Sequence, residues 1–246
     1  MSELALAVRQ VGFENRAFWR NPPAAFFTFA FPLIFMLLFN VLFGGDAARF
    51  FTPAIMVFSV VTATFTNLAM NITIARDTGV LKRIRGTPLP AWAYLAGRIG
   101  HAIGVTLLLV ALVAAIGALL YDVPVPWDAL PIILLVLAVA AASFSALGLA
   151  VAGVMPNADA APAIVNAIVF PTLFISNVFI QMDSAPDWVN AISYLLPVRH
   201  FVDAMLALYQ NGAAAGVPWT ALGVIGLWGI AGVALALRFF SWEPRR

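Results

Sequence analysis

The stretch that decides the fold is residues 129–158, ALPIILLVLAVAAASFSALGLAVAGVMPNA, because it carries no charged side chain. An α-helix of about 20 apolar residues crosses the hydrocarbon core of a bilayer, and a charge placed in that core is costly. Five more uncharged runs of similar length occupy 21–45, 50–75, 99–121, 160–182 and 204–237. Trimmed at turn residues, the six runs predict membrane-spanning helices near 23–43, 52–75, 99–120, 131–154, 161–180 and 217–237.

The composition of the whole chain also indicates that it lies in a lipid bilayer. Of its 246 residues, 63% are apolar and 10% are charged, whereas a soluble domain is about half apolar and a quarter charged. The runs are apolar on every face, which excludes the alternating strands of a membrane β-barrel. A formal charge of +2 disfavours nucleic-acid binding. We therefore predict an all-α integral membrane protein in which residues 1–246 form a single transmembrane domain.

The basic residues predict the orientation of the chain. Eleven of the 13 Lys and Arg residues lie before the first span, between the second and third, or after the sixth. Short loops rich in Lys and Arg stay in the cytoplasm. The pattern therefore predicts a multi-pass protein of a bacterial-type cytoplasmic (inner) membrane with both termini in the cytoplasm.

Three segments are neither spans nor short loops. Residues 1–22 place apolar side chains on one helical stripe and predict an amphipathic helix along the inner interface, with a simple basic flank as the alternative. Residues 76–98 form the largest cytoplasmic loop and the best candidate for a partner surface. Residues 183–216 are expected outside, as a short re-entrant or interfacial helical segment that breaks at Pro197.

The motifs of nucleotide hydrolysis and metal catalysis are missing from the chain. A P-loop requires a lysine followed by Ser or Thr, but the single lysine, Lys82, is followed by Arg83. The two histidines, His101 and His200, are too far apart for a metalloprotease motif, and both suit packing better than a proton relay. We therefore expect no enzyme activity, no metal and no cofactor on this chain.

Three spans carry side chains that suit a path for an apolar or amphiphilic substrate. In the first span, phenylalanines recur every four residues, at Phe27, Phe31, Phe35 and Phe39. Polar side chains follow in the second span at Thr66, Asn67 and Asn71, and in the fifth at Asn166 and Asn177. The two asparagines of the fifth span are eleven residues apart and are predicted to share a helix face. Lipid exposure or ordinary packing is the alternative for the phenylalanines.

Two stretches outside the spans resemble one family. Residues 76–89, RDTGVLKRIRGTPL, are similar to the loop after the second span of ABC-2-type permeases, in which an acidic residue, a glycine, an apolar residue, a basic pair and Thr-Pro-Leu follow in this order. Residues 196–204, LPVRHFVDA, resemble that family's outer segment. Lys82 stands where many members have an acidic residue, and Asn177 stands where a glycine is common.

The resemblance implies a permease subunit, most similar to the drug-resistance permeases, that exports an amphiphilic substrate such as a drug, a lipid or a lipid-linked glycan. It also implies a second permease copy or a homologous permease, and two separate ABC ATPase subunits that hold ATP and Mg. Membrane lipids are the remaining expected partners. A non-transporting membrane scaffold and a secondary carrier are the alternatives, although a carrier requires an ion-coupling charge that the spans lack.

The loop at 76–98 is expected to contact the ATPase. A short helix at 77–84, ended by Gly86 and Pro88, would present Leu81 and Ile84 to a groove on that partner. The predicted coupling residues are Asp77, Gly79, Leu81, Lys82, Arg83, Ile84 and Arg85. The cations among them would set the register electrostatically. The alternative is that this basic cluster only anchors the topology or binds anionic lipid.

Overall fold

The computed structural model describes residues 3–44, 47–180 and 185–242. Residues 1 and 2 of the predicted interfacial helix lie outside these ranges, as do Asp183 at the start of the outer segment and the last two basic residues, Arg245 and Arg246. Every described secondary-structure element is helical, so the prediction of an all-α fold is confirmed.

The described part of the chain forms eleven α-helices. Its first half contains α1 Glu3–Trp19, α2 Pro22–Phe43, α3 Ala47–Val61, a π-helical turn Thr62–Thr66, α4 Asn67–Asp77, α5 Val80–Arg85 and α6 Ala91–Tyr121. Its second half contains α7 Leu130–Val154, α8 Ala161–Ile175, α9 Asp187–Leu195, α10 Pro197–Asn211 and α11 Trp219–Phe239. Because α3, the π turn and α4 follow one another without a break, they form one long central helix, Ala47–Asp77.

Five of the described helices are long and apolar enough to cross a membrane. They are Pro22–Phe43, Ala47–Asp77, Ala91–Tyr121, Trp127–Val154 and Trp219–Phe239. They correspond to the predicted spans one to four and six, which confirms a multi-pass membrane protein. A sixth candidate arises if Asp187–Leu195 and Pro197–Ala215, which are bent by 93°, count as one broken span. α6 begins earlier than predicted because Arg98 ends the uncharged run without ending the helix.

The predicted fifth span is shorter than expected. α8 has 15 residues and ends at Ile175, which gives a length of about 22 Å against roughly 30 Å of hydrocarbon. Asn177 has a φ of 64°, and this left-handed conformation cannot continue a right-handed helix. The prediction that Asn166 and Asn177 share a helix face is therefore wrong. The predicted break at Pro197 is confirmed, because α9 ends at Leu195 and α10 begins at Pro197.

The central helix is the core of the bundle. In its most apolar 18-residue window 72% of the residues are buried, compared with 17% in that of α2. The other helices therefore surround the central helix, whereas most of the surface of α2 is exposed on the outside of the described bundle. The buried hydroxyls of Ser59, Thr64 and Thr73 each donate a hydrogen bond to the carbonyl four residues earlier. Local bonding of this kind makes polar side chains compatible with a dry core.

Glycines allow α7 to lie close to two of its neighbours. A Cβ atom on Gly229 of α11 would lie 2.4 Å from the Ser143 hydroxyl, and one on Gly232 would lie 2.8 Å from the Leu147 nitrogen. A Cβ atom on Gly148 would lie 2.8 Å from the carbonyl oxygen of Phe65 in the π turn. Small residues at such crossings let helix backbones approach closely in a membrane.

The Gly148→Ala variant is expected to lower stability by about 1–3 kcal/mol, because the added methyl group meets a backbone carbonyl that cannot move aside. The matched control is Gly104→Ala in α6, where a Cβ atom meets no described atom within 4 Å. That change is expected to stabilise by about 1 kcal/mol through helix propensity. Thermal unfolding of the purified variants in detergent measures both effects. Equal melting temperatures for the two variants would contradict the close approach.

Candidate functional site

A cavity of about 590 Å³ lies between α1, α2, the central helix, α6 and α8. Six of the nine residues predicted to form a substrate path line it, namely Phe27, Phe31, Thr66, Asn67, Asn71 and Asn166. These residues come from three separate helices, and the fold brings them together. Their role in transport stays a prediction. The cavity is referred to below as the central cavity.

The walls of the central cavity combine aromatic rings with hydroxyl and amide side chains. The π turn places Thr62 at its start and Thr66 at its end on the cavity wall. The Thr62 hydroxyl donates to the carbonyl of Phe58, but the Thr66 hydroxyl has no hydrogen-bond partner among the described residues. π-Helical turns are frequent at functional sites. The Thr66 hydroxyl oxygen is buried in the wall, whereas Asn71 is exposed and its amide is therefore available to a bound molecule or to water.

The other three predicted path residues lie outside the central cavity. Phe35 packs against Phe179 with ring centroids 5.4 Å apart, and Phe39 stacks on Phe51 at 4.8 Å. These rings belong to an aromatic cluster that also contains Phe31 and Phe58. Because Phe31 and Phe58 also line the cavity, the cluster closes one of its ends.

Asn177, the third of these residues, takes part in a different contact. Its amide donates a 3.4 Å hydrogen bond to Asp203 of α10, which also accepts a 2.8 Å bond from Arg199. The Arg199 guanidinium lies 5.0 Å from the ring centroid of Tyr194. Asn177 thus links the segment after α8 to α10 and does not line the central cavity.

The opposite end of the cavity holds an ion pair that sequence reasoning missed. Arg98 of α6 lies 3.3 Å from the carboxylate of Glu14 in α1 and donates to the Tyr94 hydroxyl at 2.8 Å. Both charged residues line the cavity. Gly97 lets α1 lie close to α6, because a Cβ atom at this position would be only 2.3 Å from the side chain of Gln10. A Cβ atom on Gly100 would also lie 2.9 Å from the Val11 side chain of α1, so the glycines near the start of the third span were the available signal.

A second unpredicted contact fastens the end of the central helix to the α7–α8 turn. Arg76 is 1% exposed, and its guanidinium donates to the carbonyls of Ala152 at 2.9 Å and Met155 at 2.6 Å. The last carbonyls of a helix have no partner within it and carry partial negative charge. The neighbouring Asp77 carboxylate accepts a hydrogen bond from the backbone N–H of Ala158. We call Arg76, Asp77 and these backbone partners the α4–α7 latch.

The geometry of the latch corrects two expectations about the loop that follows it. Asp77 ends α4 and binds its own chain, although it was expected to begin the coupling helix and contact a partner. The helix itself begins at Val80, after Gly79 at a φ of 71°, and ends at Arg85. A positive φ is easily reached by glycine, so Gly79 forms the corner between α4 and α5.

The prediction that Leu81 faces a partner is wrong. Leu81 is fully buried in a cluster that contains Ile72, Tyr94 and Leu149, and Ile84 packs against the same cluster. α5 therefore lies on the bundle through its apolar face, because burying these side chains is favourable. Its exposed face carries only cations: Lys82, Arg83 and Arg85. The end of the bundle that carries α5 is called the basic end below.

Comparison with known proteins gives the family. The sequence model of the ABC-2 type transporter family matches residues 11–209. The Escherichia coli (strain K12) protein named probable multidrug ABC transporter permease YbhR is 21% identical over 177 residues, which are 72% of this chain and 48% of that protein. This chain therefore spans about half the length of that relative.

Two further relatives match over more of their own length. The daunorubicin resistance ABC transporter permease protein DrrB1 of Streptomyces coeruleorubidus is 29% identical over 191 residues, 74% of this chain and 67% of that protein. The inner membrane transport permease YadH of Escherichia coli (strain K12) is 24% identical over 183 residues, 70% of this chain and 71% of that protein. With the apolar helical bundle and the central cavity, these matches show that the chain belongs to the ABC-2 type transporter family.

Proposed function

We propose that this chain is the transmembrane permease subunit of an ATP-binding cassette exporter that moves an amphiphilic substrate out across the membrane. The observation that carries the proposal is the central cavity, where aromatic rings and the amide side chains of Asn67, Asn71 and Asn166 meet inside an apolar bundle. One relative is named a probable multidrug ABC transporter permease, and another a daunorubicin resistance ABC transporter permease protein. Their names favour a drug as the substrate over a lipid or a lipid-linked glycan.

The lining of the cavity supports the substrate class. Moving an unpaired charge out of water costs several kcal/mol, and the cavity's carboxylate and guanidinium, Glu14 and Arg98, neutralise one another. A small ion would therefore find no compensating charge. Apolar walls with a few polar groups are typical of pockets for drug-sized molecules. The aromatic cluster at the far end must part before a substrate can leave on that side.

The coupling route is proposed to run through the basic end. ATPase subunits that bind ATP and Mg would dock on the cations of α5, and α5 is joined to α4 by the Gly79 corner. The α4–α7 latch connects this corner to the turn that precedes α8. α8 carries Asn166 into the cavity wall. A change at α5 would thus reach the cavity through direct contacts, and its size is limited by the ATPase's differential affinity for the two conformations.

The proposed complex contains two ATPase subunits and two permeases, the second being another copy or a homologous permease. It would lie in a bacterial-type inner membrane with the basic end and both termini in the cytoplasm. In this arrangement α1 lies along the inner interface, with its cations directed to the aqueous side.

Cysteine labelling in intact cells is expected to modify Ala185→Cys and to spare Ala5→Cys. The chain has no cysteine of its own, so each variant carries a single thiol. The physical reason is the excess of Lys and Arg at the end that contains residue 5. Permeabilised cells serve as the control, because both thiols should then react. Labelling of Ala5→Cys alone in intact cells would reverse the topology.

The function is tested with inside-out vesicles that contain the chain and its candidate ATPase. ATP is expected to drive uptake of an amphiphilic dye but not of a small hydrophilic anion. Phe31→Ala is expected to weaken apparent dye affinity about three- to tenfold, because it removes an aromatic contact from the cavity. Leu37→Ala is the matched control, since Leu37 is exposed on α2 and does not line the cavity.

Three results would contradict the proposal. Uptake of the anion alone would reject the amphiphilic substrate. If no ATPase co-purifies with the chain, and vesicles that contain the candidate ATPase show no ATP-dependent uptake, a membrane scaffold would be favoured. Uptake driven by an ion gradient without ATP would favour a secondary carrier.

A further inference from the structure

A second cavity, of about 340 Å³, lies on another side of α8, between the central helix, α7, α10 and α11. Only Thr172 and Trp228 among its lining residues carry a polar side-chain atom. The Thr172 hydroxyl donates to the carbonyl of Ile168 at 2.7 Å, and the Trp228 indole N–H donates to the carbonyl of Leu195 at 2.9 Å. Both donors are therefore already used within the protein. This lateral cleft suits a purely apolar occupant.

The lateral cleft is separate from the central cavity. The two share Val169 of α8, but none of the predicted path residues lines the cleft. Asn166 and Phe170 face the cavity, whereas Ile168 and Thr172 face the cleft. α8 is thus a wall between the two spaces.

The dimensions of the lateral cleft match one lipid chain. Its walls include Trp228 and Phe239 of α11, which are about 16 Å apart along the helix axis. That distance is close to the thickness of one leaflet, half of the roughly 30 Å hydrocarbon core. A void in this position would deprive its walls of van der Waals contacts, so filling it is favourable.

A cation stands at one end of the lateral cleft. The Arg238 guanidinium lies 5.6 Å from the ring centroid of Phe239, a lining residue. A Cβ atom on Gly153, at the end of α7, would lie 3.1 Å from the Phe239 carbonyl oxygen. This end of the cleft is therefore the basic end, where α7 meets the latch. Arg238 is exposed and placed to meet an anionic group at the membrane surface.

We propose that the lateral cleft binds one acyl chain of an anionic phospholipid from the leaflet at the basic end, with the phosphate of the lipid on Arg238. The apolar walls, the leaflet-length groove and the cation at its mouth together select this class of ligand. The bound chain completes the packing of α8 on the face opposite the central cavity. The site goes beyond the proposed transport function, because its lipid is a resident ligand and not the exported molecule.

The test uses purified protein without an ATPase, so that its outcome does not depend on transport. The probe is phosphatidylglycerol with a photoreactive diazirine on one acyl chain, compared with phosphatidylcholine carrying the same chain. Crosslinks mapped by mass spectrometry are expected on peptides that contain Val154 and Leu235, at least threefold more with phosphatidylglycerol. Both residues line the cleft and are half exposed, so substitutions there should not disturb the core.

Two variants and their controls distinguish specific lipid binding in the cleft from general lipid contact. Val154→Trp fills the cleft and is expected to reduce labelling about tenfold, whereas Ile230→Trp, on an exposed part of α11 outside the cleft, should leave it unchanged. Arg238→Gln should remove the preference for phosphatidylglycerol while phosphatidylcholine labelling stays the same. Arg16→Gln, at an exposed arginine of α1, should keep the preference.

Three outcomes would overturn the site. Labelling spread evenly over the lipid-facing helices and insensitive to Val154→Trp would show surface lipid only. Crosslinks between two copies through Leu235→Cys, without lipid labelling, would show that a second copy fills the cleft. Competition by the transported dye would make the cleft part of the substrate path.

Discussion

The Arg76→Met variant is expected to lose about 3 kcal/mol of unfolding free energy, since two hydrogen bonds from a charged donor disappear together. The guanidinium is buried, and the carbonyls of Ala152 and Met155 that it bonds lie at the end of α7, where no later N–H of the helix reaches them. Methionine fills most of the space but donates no hydrogen bond. The side chain of Asp77 would also lose the cation that lies 3.8 Å away.

Thermal unfolding in detergent measures this loss, and two further variants test whether it comes from the lost hydrogen bonds. Arg16→Met, at an exposed arginine, should melt within error of the wild type. The melting temperature of Arg76→Lys should lie between those of the wild type and Arg76→Met, because an ammonium group lacks the planar fork that reaches both carbonyls. A wild-type melting temperature for Arg76→Met would show that the latch contributes nothing to stability.

Reversal of the three exposed cations of α5, by Lys82→Glu, Arg83→Glu and Arg85→Glu together, is expected to abolish ATP-driven uptake. If the ATPase presents an acidic surface, the like charges cost several kcal/mol, which weakens binding about a thousandfold. Loss of the ATPase on co-purification and loss of uptake in vesicles are the two measurements. Stability should remain unchanged, because these side chains are exposed and do not contribute to the core.

Leu81→Ala provides the contrast for that experiment. Leu81 is fully buried, so its truncation should lower stability by about 2–5 kcal/mol while the cationic surface stays in place. Raising the ionic strength should weaken ATPase binding by the wild type, because exposed charges are screened. If the charge-reversed variant kept full uptake and kept its ATPase, α5 would not be the docking surface.

Much of the fold could be predicted because the ability of a segment to cross a bilayer depends on the length and hydropathy of that segment alone. An uncharged run such as residues 131–154 is long enough by itself, and the structure places α7 at Leu130–Val154. The prediction failed where the backbone departs from a regular helix, as at Asn177, whose positive φ leaves no mark in hydropathy. Five of the six side chains that were predicted to form a path and share the central cavity lie on regular α-helix, where spacing predicts a common face, whereas Thr66 lies in the π turn.

Other site residues could not be predicted because their partners are distant in sequence. Arg76 was assigned to a cytoplasmic loop by its charge alone, yet it is buried against α7 because the carbonyls there compensate the guanidinium. Leu81 was expected to face a groove on the ATPase together with Ile84, three residues later on the same short helix, but it is buried in the apolar cluster of the bundle. Nothing in the local sequence distinguishes a leucine that faces a partner from one that faces its own chain.

By itself, the sequence determined the membrane class, the positions of five spanning helices and the residue types available to a substrate path, because hydropathy and helical spacing act over one helix at a time. Only the tertiary structure decided that Glu14 meets Arg98, that Arg76 fastens α4 to α7 and that α8 separates the central cavity from the lateral cleft. These features depend on which helix faces which, and that choice is made by close packing and by pairing of buried polar groups across the whole bundle.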